Sequence, residues 1–374
     1  MSVYLYGFGI SIALIALSEK ISKKQRWFFA LIALLIPCLI AGYRASSIGV
    51  DTEGYLVPMT NAAIFSNSYT NYISSSWLRI WRYLSVRDYE VGFSLVVFVA
   101  AKIFKSVVAV QFIIQALTVF PIYIAANRTK YKTWICMAVY YFMFFNKSLN
   151  MIRQMVAMAF VLLAIQLLSE GKVKWFITLS LVGFTFHYSA IISFLIAVIY
   201  FYVQSNSSKE STLSVKSYKN AIVVITIGIL GVVGSSVVAG ILPYIGLGRY
   251  VNYLVSISGG IHFLPMQIII RLPLICLFIL NWKSMNLGER NSSFYVTMIA
   301  LDAIVAQLAS VTSYSGRIAL YFSVFNIYSY ASVCSNTKHK FLVKLITISY
   351  LILYWWYYYV FLGTEATVPY MSLQ

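Results

Sequence analysis

The chain has 374 residues, of which 61% are hydrophobic and only 10% charged, and its formal net charge is +18. A soluble domain is about half apolar and a quarter charged, so this composition excludes an ordinary soluble enzyme. Lysine and arginine held on the cytoplasmic side of a bilayer account for most of the positive excess, with no need for a nucleic-acid partner.

Apolar runs recur along the whole sequence and are continuous rather than alternating in polarity, which argues against a closed barrel of strands. The expected fold class is therefore all-α: a polytopic integral membrane protein forming a single domain over residues 1–374. The four cysteines, Cys38, Cys136, Cys276 and Cys334, stand in or beside apolar runs without paired spacing, and packing is their expected role.

Residues 1–18 (MSVYLYGFGISIALIALS) form the first run. A secretory signal carries positive charge ahead of its apolar stretch. Here Lys20, Lys23, Lys24 and Arg26 follow it, so a first span with its N-terminus outside is expected. Further spans are expected at 27–43, 107–126, 134–146, 151–169, 174–186, 188–203, 220–242, 266–282, 294–312, 317–333 and 342–362, about 12 crossings in all. Several fall short of the roughly 20 residues of a full crossing, which implies tilt or local thinning. Segment 91–104 (VGFSLVVFVAAKIF) is apolar but short and reads as re-entrant or interfacial, and 174–203 reads as a hairpin with its apex near His187.

This trace places loops 19–26, 127–133, 170–173, 204–219, 283–293 and 334–341 inside, where they hold most of the 28 basic residues, chiefly lysines. The remaining basic residues are mostly arginines on the outer side, and they require another explanation. The largest outer loops are 44–90 and 243–265. In the first, Ile73, Trp77, Trp81 and Leu84 share a helical face with Arg79 and Arg82 off it, the pattern of an amphipathic helix on the outer leaflet, with an ordinary surface helix as the alternative.

The candidate chemistry follows the same order. The stretch GYRASSIGVDTEGY, residues 42–55, brings Arg44, Asp51 and Glu53 to the first outer loop. In NKSLNMIRQMVAMAF, Asn146, Asn150 and Arg153 recur at spacings of four and three and so share one helical face at the outer end of a span. Ionisable groups at that depth line cavities or pathways more often than they face lipid, although an anchoring arginine is the bland alternative. GFTFHYSA carries His187, whose ring can take a proton near neutral pH; a histidine that merely closes the hairpin is the alternative.

The loop GLGRYVNYLVSISGGIHF brings Arg249, Tyr250, Tyr253 and His262, a basic aromatic set suited to sugar stacking and phosphate contact, with a plain structural loop as the alternative. Arg317 opens a later span from outside. Asp302 lies within a span, either paired with Arg271 or catalytic. Arg44, Arg153, Arg249, Arg317 and His187 thus fall on one membrane face. Arginine's fixed fork fits phosphate oxygens better than lysine does, which points to a phosphate or pyrophosphate headgroup with one general base beside it.

At YRASSIGVDTEGY, NMIRQMVAMAF and FHYSA, and less distinctly at GRYVNY, the sequence resembles the EpsG-like branch of the Wzy-type repeat-unit polymerases, which build O-antigens, capsules and exopolysaccharides. The resemblance covers most of the chain by layout. It implies a glycosyltransferase type C-like architecture in the bacterial cytoplasmic membrane, working without metal or other cofactor on the outer face. It implies transfer of a growing glycan from undecaprenyl pyrophosphate onto a lipid-linked repeat unit with inversion at the anomeric carbon. Arg153 and Arg249, joined by Arg317 and Arg44, would bind donor pyrophosphate, and His187 would activate the acceptor hydroxyl. Asp51 and Glu53 would orient sugar hydroxyls or hold Arg44 in place, Arg44 being either phosphate-binding or loop-ordering, and Asn150, Tyr250, Tyr253 and His262 would bind or orient sugars. The lipid-linked donor and acceptor, membrane lipid, a chain-length regulator and a flippase are the expected partners.

Three rivals stand beside it. Asp51 and Glu53 also match a modified D-x-D that holds a divalent ion against a carrier phosphate. A lipid-linked oligosaccharide flippase would line a cavity with similar residues, and an O-antigen ligase would use the same donor.

Overall fold

The computed structural model describes residues 1–206, 264–281, 291–307, 309 and 313–373. Arg249, Tyr250, Tyr253 and His262, and the span expected at 220–242, lie outside the described residues. The chain divides into two units, residues 1–194 with 347–374, and residues 195–346.

In the first unit, α1 (Ser2–Ser18), α2 (Lys23–Gly42), α3 (Val57–Phe65), α4 (Tyr69–Ile73), α5 (Val91–Phe104), α6 (Val107–Asn127), α7 (Thr133–Tyr140), α8 (Asn146–Asn150), α9 (Ile152–Ser169) and α10 (Val173–Phe186) follow one another. The chain then enters α11 (Ile192–Asn206), and it returns to this unit at Thr347, within the helix Lys340–Trp355. Six described helical stretches, those at 24–42, 107–127, 152–169, 188–205, 316–336 and 340–361, are long and apolar enough to cross a bilayer, and four shorter apolar helices accompany them. This is a multi-pass, all-α membrane protein.

The central element is α9. Apolar residues occur on every side of IRQMVAMAFVLLAIQLLS, and 14 of its residues are buried. A helix apolar all round belongs inside a bundle, and α6 and α10 pack against it. One end of the unit is closed by charge pairs. Arg128 forks onto Glu170 (Nε–Oε1 2.7 Å, Nη2–Oε2 2.6 Å), Arg26 donates to Asn127 (2.7 Å), and Glu19 meets Lys132 at 3.5 Å. Since α9 runs from Ile152 to Ser169, Arg153 stands at the opposite end.

At that opposite end the regular helices give way. Three π-helical turns, Thr52–Leu56, Tyr141–Phe145 and Trp356–Phe361, occur in the unit. Such wide turns are rare and concentrate at functional sites. The second interrupts one continuous helical run from Thr133 to Asn150, which Met151 (φ −92°, ψ 55°) separates from α9.

The outer loop departs from expectation. Its segment 69–87 is not one amphipathic helix: α4 stops at Ile73, and β1 (Ser76–Arg79) pairs antiparallel with β2 (Arg82–Ser85). Aromatic and alternating residues favour strand here, and Ser85 closes the hairpin with a capping box on Asp88.

In the second unit, helices Pro265–Ile269, Leu272–Leu280, Ser292–Gln307, Ser313–Ser323 and Asn326–Asn336 are described. Arg271 forks onto Asp302 (Nε–Oδ2 2.8 Å, Nη2–Oδ1 2.7 Å) and donates to Gln267 O at 2.7 Å. The intramembrane carboxylate is therefore held by the arginine, the partnership that makes its burial tolerable.

Candidate functional site

The first-loop motif is fastened from three directions. Gly49 adopts φ +80° and lies directly on the Leu149 carbonyl, where an added Cβ would collide. Glycine is required here for both reasons. Asn150 holds the next residue, its Oδ1 accepting from Val50 N at 2.8 Å, while its Nδ2 donates to Glu365 Oε2 at 2.6 Å. The C-terminal segment completes the knot: Gly49 N donates to Ala366 O (3.1 Å), and Ala45 N to Met371 O (2.8 Å).

Arg44 lies inside this knot, 2% exposed, donating to Ala41 O (2.5 Å) and to Thr52 Oγ1 (3.2 Å). Burial lowers its guanidinium to about 10, still charged at neutral pH. These contacts order the loop, whereas a phosphate-binding arginine must reach its ligand.

Asp51 accepts from Tyr55 Oη at 2.7 Å, and burial first, then Asp51, push the Tyr55 hydroxyl well above its ordinary value, so it remains a donor. Glu53 is exposed beside it. Among the described residues, no group of three or more His, Cys, Asp or Glu is placed to hold a metal ion.

The loop delivers Tyr55 to Arg153. The guanidinium carbon lies 5.1 Å from the Tyr55 ring centroid and 4.8 Å from that of Tyr89, an aromatic clamp on a cation. Glu90, next in sequence, pairs with Arg153 Nη1. The other Glu90 oxygen accepts from Tyr188 N at 3.4 Å, so one carboxylate joins the head of α9 to the turn that bears His187. The Arg153 side chain retains 22% exposure against 4% for Glu90, so the cation is the accessible member of the pair. Its Nε is buried with no hydrogen-bond acceptor among the described residues.

His187 ends α10 in extended backbone (φ −159°, ψ 125°) and starts the short 3-10 turn Tyr188–Ile191. Its Nδ1 accepts from Ser189 N at 3.2 Å and lies 2.5 Å from Ser189 Oγ. A backbone N–H can only donate, so in this geometry the neutral ring carries its proton on Nε2. A general base working through Nε2 needs the other tautomer, with Nδ1–H donating to Ser189 Oγ.

A second charged cluster lies at the same end. Lys147 Nζ pairs with Glu365 at 3.4 Å and sits over the Tyr358 ring at 4.6 Å. Asn146 joins Trp355 Nε1 (2.7 Å) to Thr367 Oγ1 (2.9 Å). The structure thus gathers Arg44, Asp51, Asn150, Arg153 and His187 at one end of the first unit. Arg317 is exposed on a helix of the second unit.

Sequence reasoning missed Tyr55, Tyr89, Glu90, Lys147 and Glu365. Glu90 carried a signal, since only ten acidic residues exist and this one directly precedes an apolar helix.

The chain belongs to the EpsG family. Residues 27–372, nearly the whole length, match the family's model. Comparison with curated proteins and with solved structures finds no match. An EpsG chain is a polysaccharide-related multi-pass membrane protein, and the clamped Arg153 lies within the matched region.

Proposed function

We propose that this EpsG-family protein is an inverting, metal-independent polysaccharide polymerase on the outer face of the bacterial cytoplasmic membrane. It transfers a growing glycan from undecaprenyl pyrophosphate to a lipid-linked repeat unit, in O-antigen, capsule or exopolysaccharide synthesis. About 12 spans in a glycosyltransferase type C-like architecture complete the reading. The observation that carries it is Arg153 at the head of a spanning helix: an aromatic-clamped, partly exposed fork tied through Glu90 to the His187 turn.

In this reaction the acceptor hydroxyl oxygen bonds to the anomeric carbon as the bond from that carbon to the pyrophosphate oxygen breaks. The hydroxyl proton goes to His187 Nε2 once the ring takes the other tautomer, in which Nδ1–H donates to Ser189 Oγ instead of accepting from Ser189 N. The leaving pyrophosphate keeps the bonding electrons, and arginine neutralises its charge, so it departs without protonation. Arg153 and Arg249 are the proposed donor ligands with Arg317 in support, while Arg44 orders the loop. Asp51 and Glu53 orient sugar hydroxyls, with Tyr250, Tyr253 and His262 contributing from the later loop.

The test is genetic. Cells carrying His187→Ala, Arg249→Ala or Arg249→Lys are expected to display single repeat units without long polymer, at normal protein levels. Full-length polymer in all three would overturn the site.

A further inference from the structure

The hairpin of β1 and β2 turns on Ile80 and Trp81, between the paired residues Arg79 and Arg82. Both turn residues have positive φ, 43° and 64°. A two-residue hairpin loop of this hand normally uses Asn-Gly or Asp-Gly, and a β-branched residue at positive φ is an outlier. The turn therefore holds two bulky apolar residues where the backbone favours small ones. They are not there for packing, because Ile80 is 82% and Trp81 96% exposed.

The same side chains continue down one face. Leu78 pairs with Tyr83, and both are exposed. At the neck, Arg79 and Arg82 oppose each other directly, an unfavourable pairing of like charges. The opposite face is fixed. Trp77 Nε1 donates to Gly54 O (3.0 Å), the Trp77 indole stacks on Tyr89 (5.9 Å, 16°), and Arg79 Nη2 donates to Val50 O (3.2 Å).

We infer that this hairpin tip is a membrane-interface anchor, with Ile80 and Trp81 seated at the headgroup–acyl boundary of the outer leaflet and the arginine neck at the level of lipid phosphates. Position supports the lipid as occupant. Tyr89, on which Trp77 stacks, clamps Arg153, the second residue of a membrane-spanning helix. Trp77 is thus one ring away from a span's end. Four residues of strand reach about 13 Å, which keeps the tip within reach of the boundary zone at that end. Charge supports it too: the exposed Arg82 beside an aromatic tip matches anionic phosphate next to hydrocarbon, and tryptophan and tyrosine favour that zone. The anchor is clamped to the segment bearing Asp51 and Tyr55, so it fixes the depth of that segment relative to the lipid.

The test uses the full chain in nanodiscs of phosphatidylethanolamine and phosphatidylglycerol. Cys276, the exposed cysteine, is replaced by Ala, and Trp81→Cys carries a nitroxide. Power saturation is expected to show severalfold more collision with oxygen than with a water-soluble nickel chelate. The variant Ile80→Asn/Trp81→Gly keeps the hairpin, because Asn-Gly suits its turn. In that background a label at Tyr83→Cys is expected to shift towards the nickel chelate relative to the same label with the native tip. Strong nickel access at position 81 would overturn the proposal, since the tip would stand in water. So would a label shielded from both reagents, or dipolar broadening relieved by unlabelled protein, which would place the tip against protein.

Discussion

Glu90 and Arg153, 63 residues apart in sequence, form a closely paired carboxylate and guanidinium at the head of α9. Glu90 also accepts from the backbone of Tyr188, so the pair fixes the arginine relative to the His187 turn.

Glu90→Gln keeps the shape and removes the charge that compensates Arg153. Removing one member of a buried pair costs about 3–5 kcal/mol, here reduced by the partial exposure of Arg153. The expected outcome is lowered thermal stability in detergent together with at least a tenfold loss of polymerisation. The double variant Glu90→Gln/Arg153→Gln should recover stability but not activity. Recovery of both would assign the pair to folding alone.

Glu365 compensates Lys147 and receives Asn150. Glu365→Ala leaves the buried lysine without its carboxylate, so a loss of roughly 3 kcal/mol is expected. A melting curve with the Glu365→Leu/Lys147→Met pair checks it: the double variant should melt well above the single one.

Gly49→Ala forces a side chain onto the Leu149 carbonyl at φ +80°. A cost above about 1 kcal/mol is expected from the backbone alone. Limited proteolysis should then cut within 44–54 faster than in the wild-type chain.

At the other end, the hydrogen bond from Arg128 is the main cause that holds the Glu170 carboxyl down to about 2 rather than 4.5. A depressed folded-state value stabilises fully above the unfolded value and loses that contribution as pH falls from about 4.5 to about 2. The pair is partly exposed, so less than about 1 kcal/mol is expected. Glu170→Gln should melt slightly below wild type at neutral pH, and the gap should close in acid.

Much of this was legible in one sequence because hydropathy and charge are local quantities. The span at 151–169 and the break at His187 follow from them, whereas the single helical face expected for Asn146, Asn150 and Arg153 is broken at Met151, which separates α8 from α9. Partners distant in sequence were not legible. Lys147 lies between Asn146 and Asn150, yet its carboxylate is 218 residues away. The hairpin was obscured because Ile80 and Trp81 are poor turn formers whose spacing also fits a helix. Arg44 resembled its fellow outer arginines until burial distinguished it.

The central claim is polymer formation, and the direct measurement is an in vitro reaction. Purified wild-type protein in proteoliposomes receives undecaprenyl-pyrophosphate-linked repeat units with chelator present, and products are resolved by glycan length. A ladder of longer glycans that persists in chelator and disappears in His187→Ala is the expected result. Single units alone, while lipid-linked sugar crosses the bilayer, or a ladder that requires added magnesium or manganese, would contradict it.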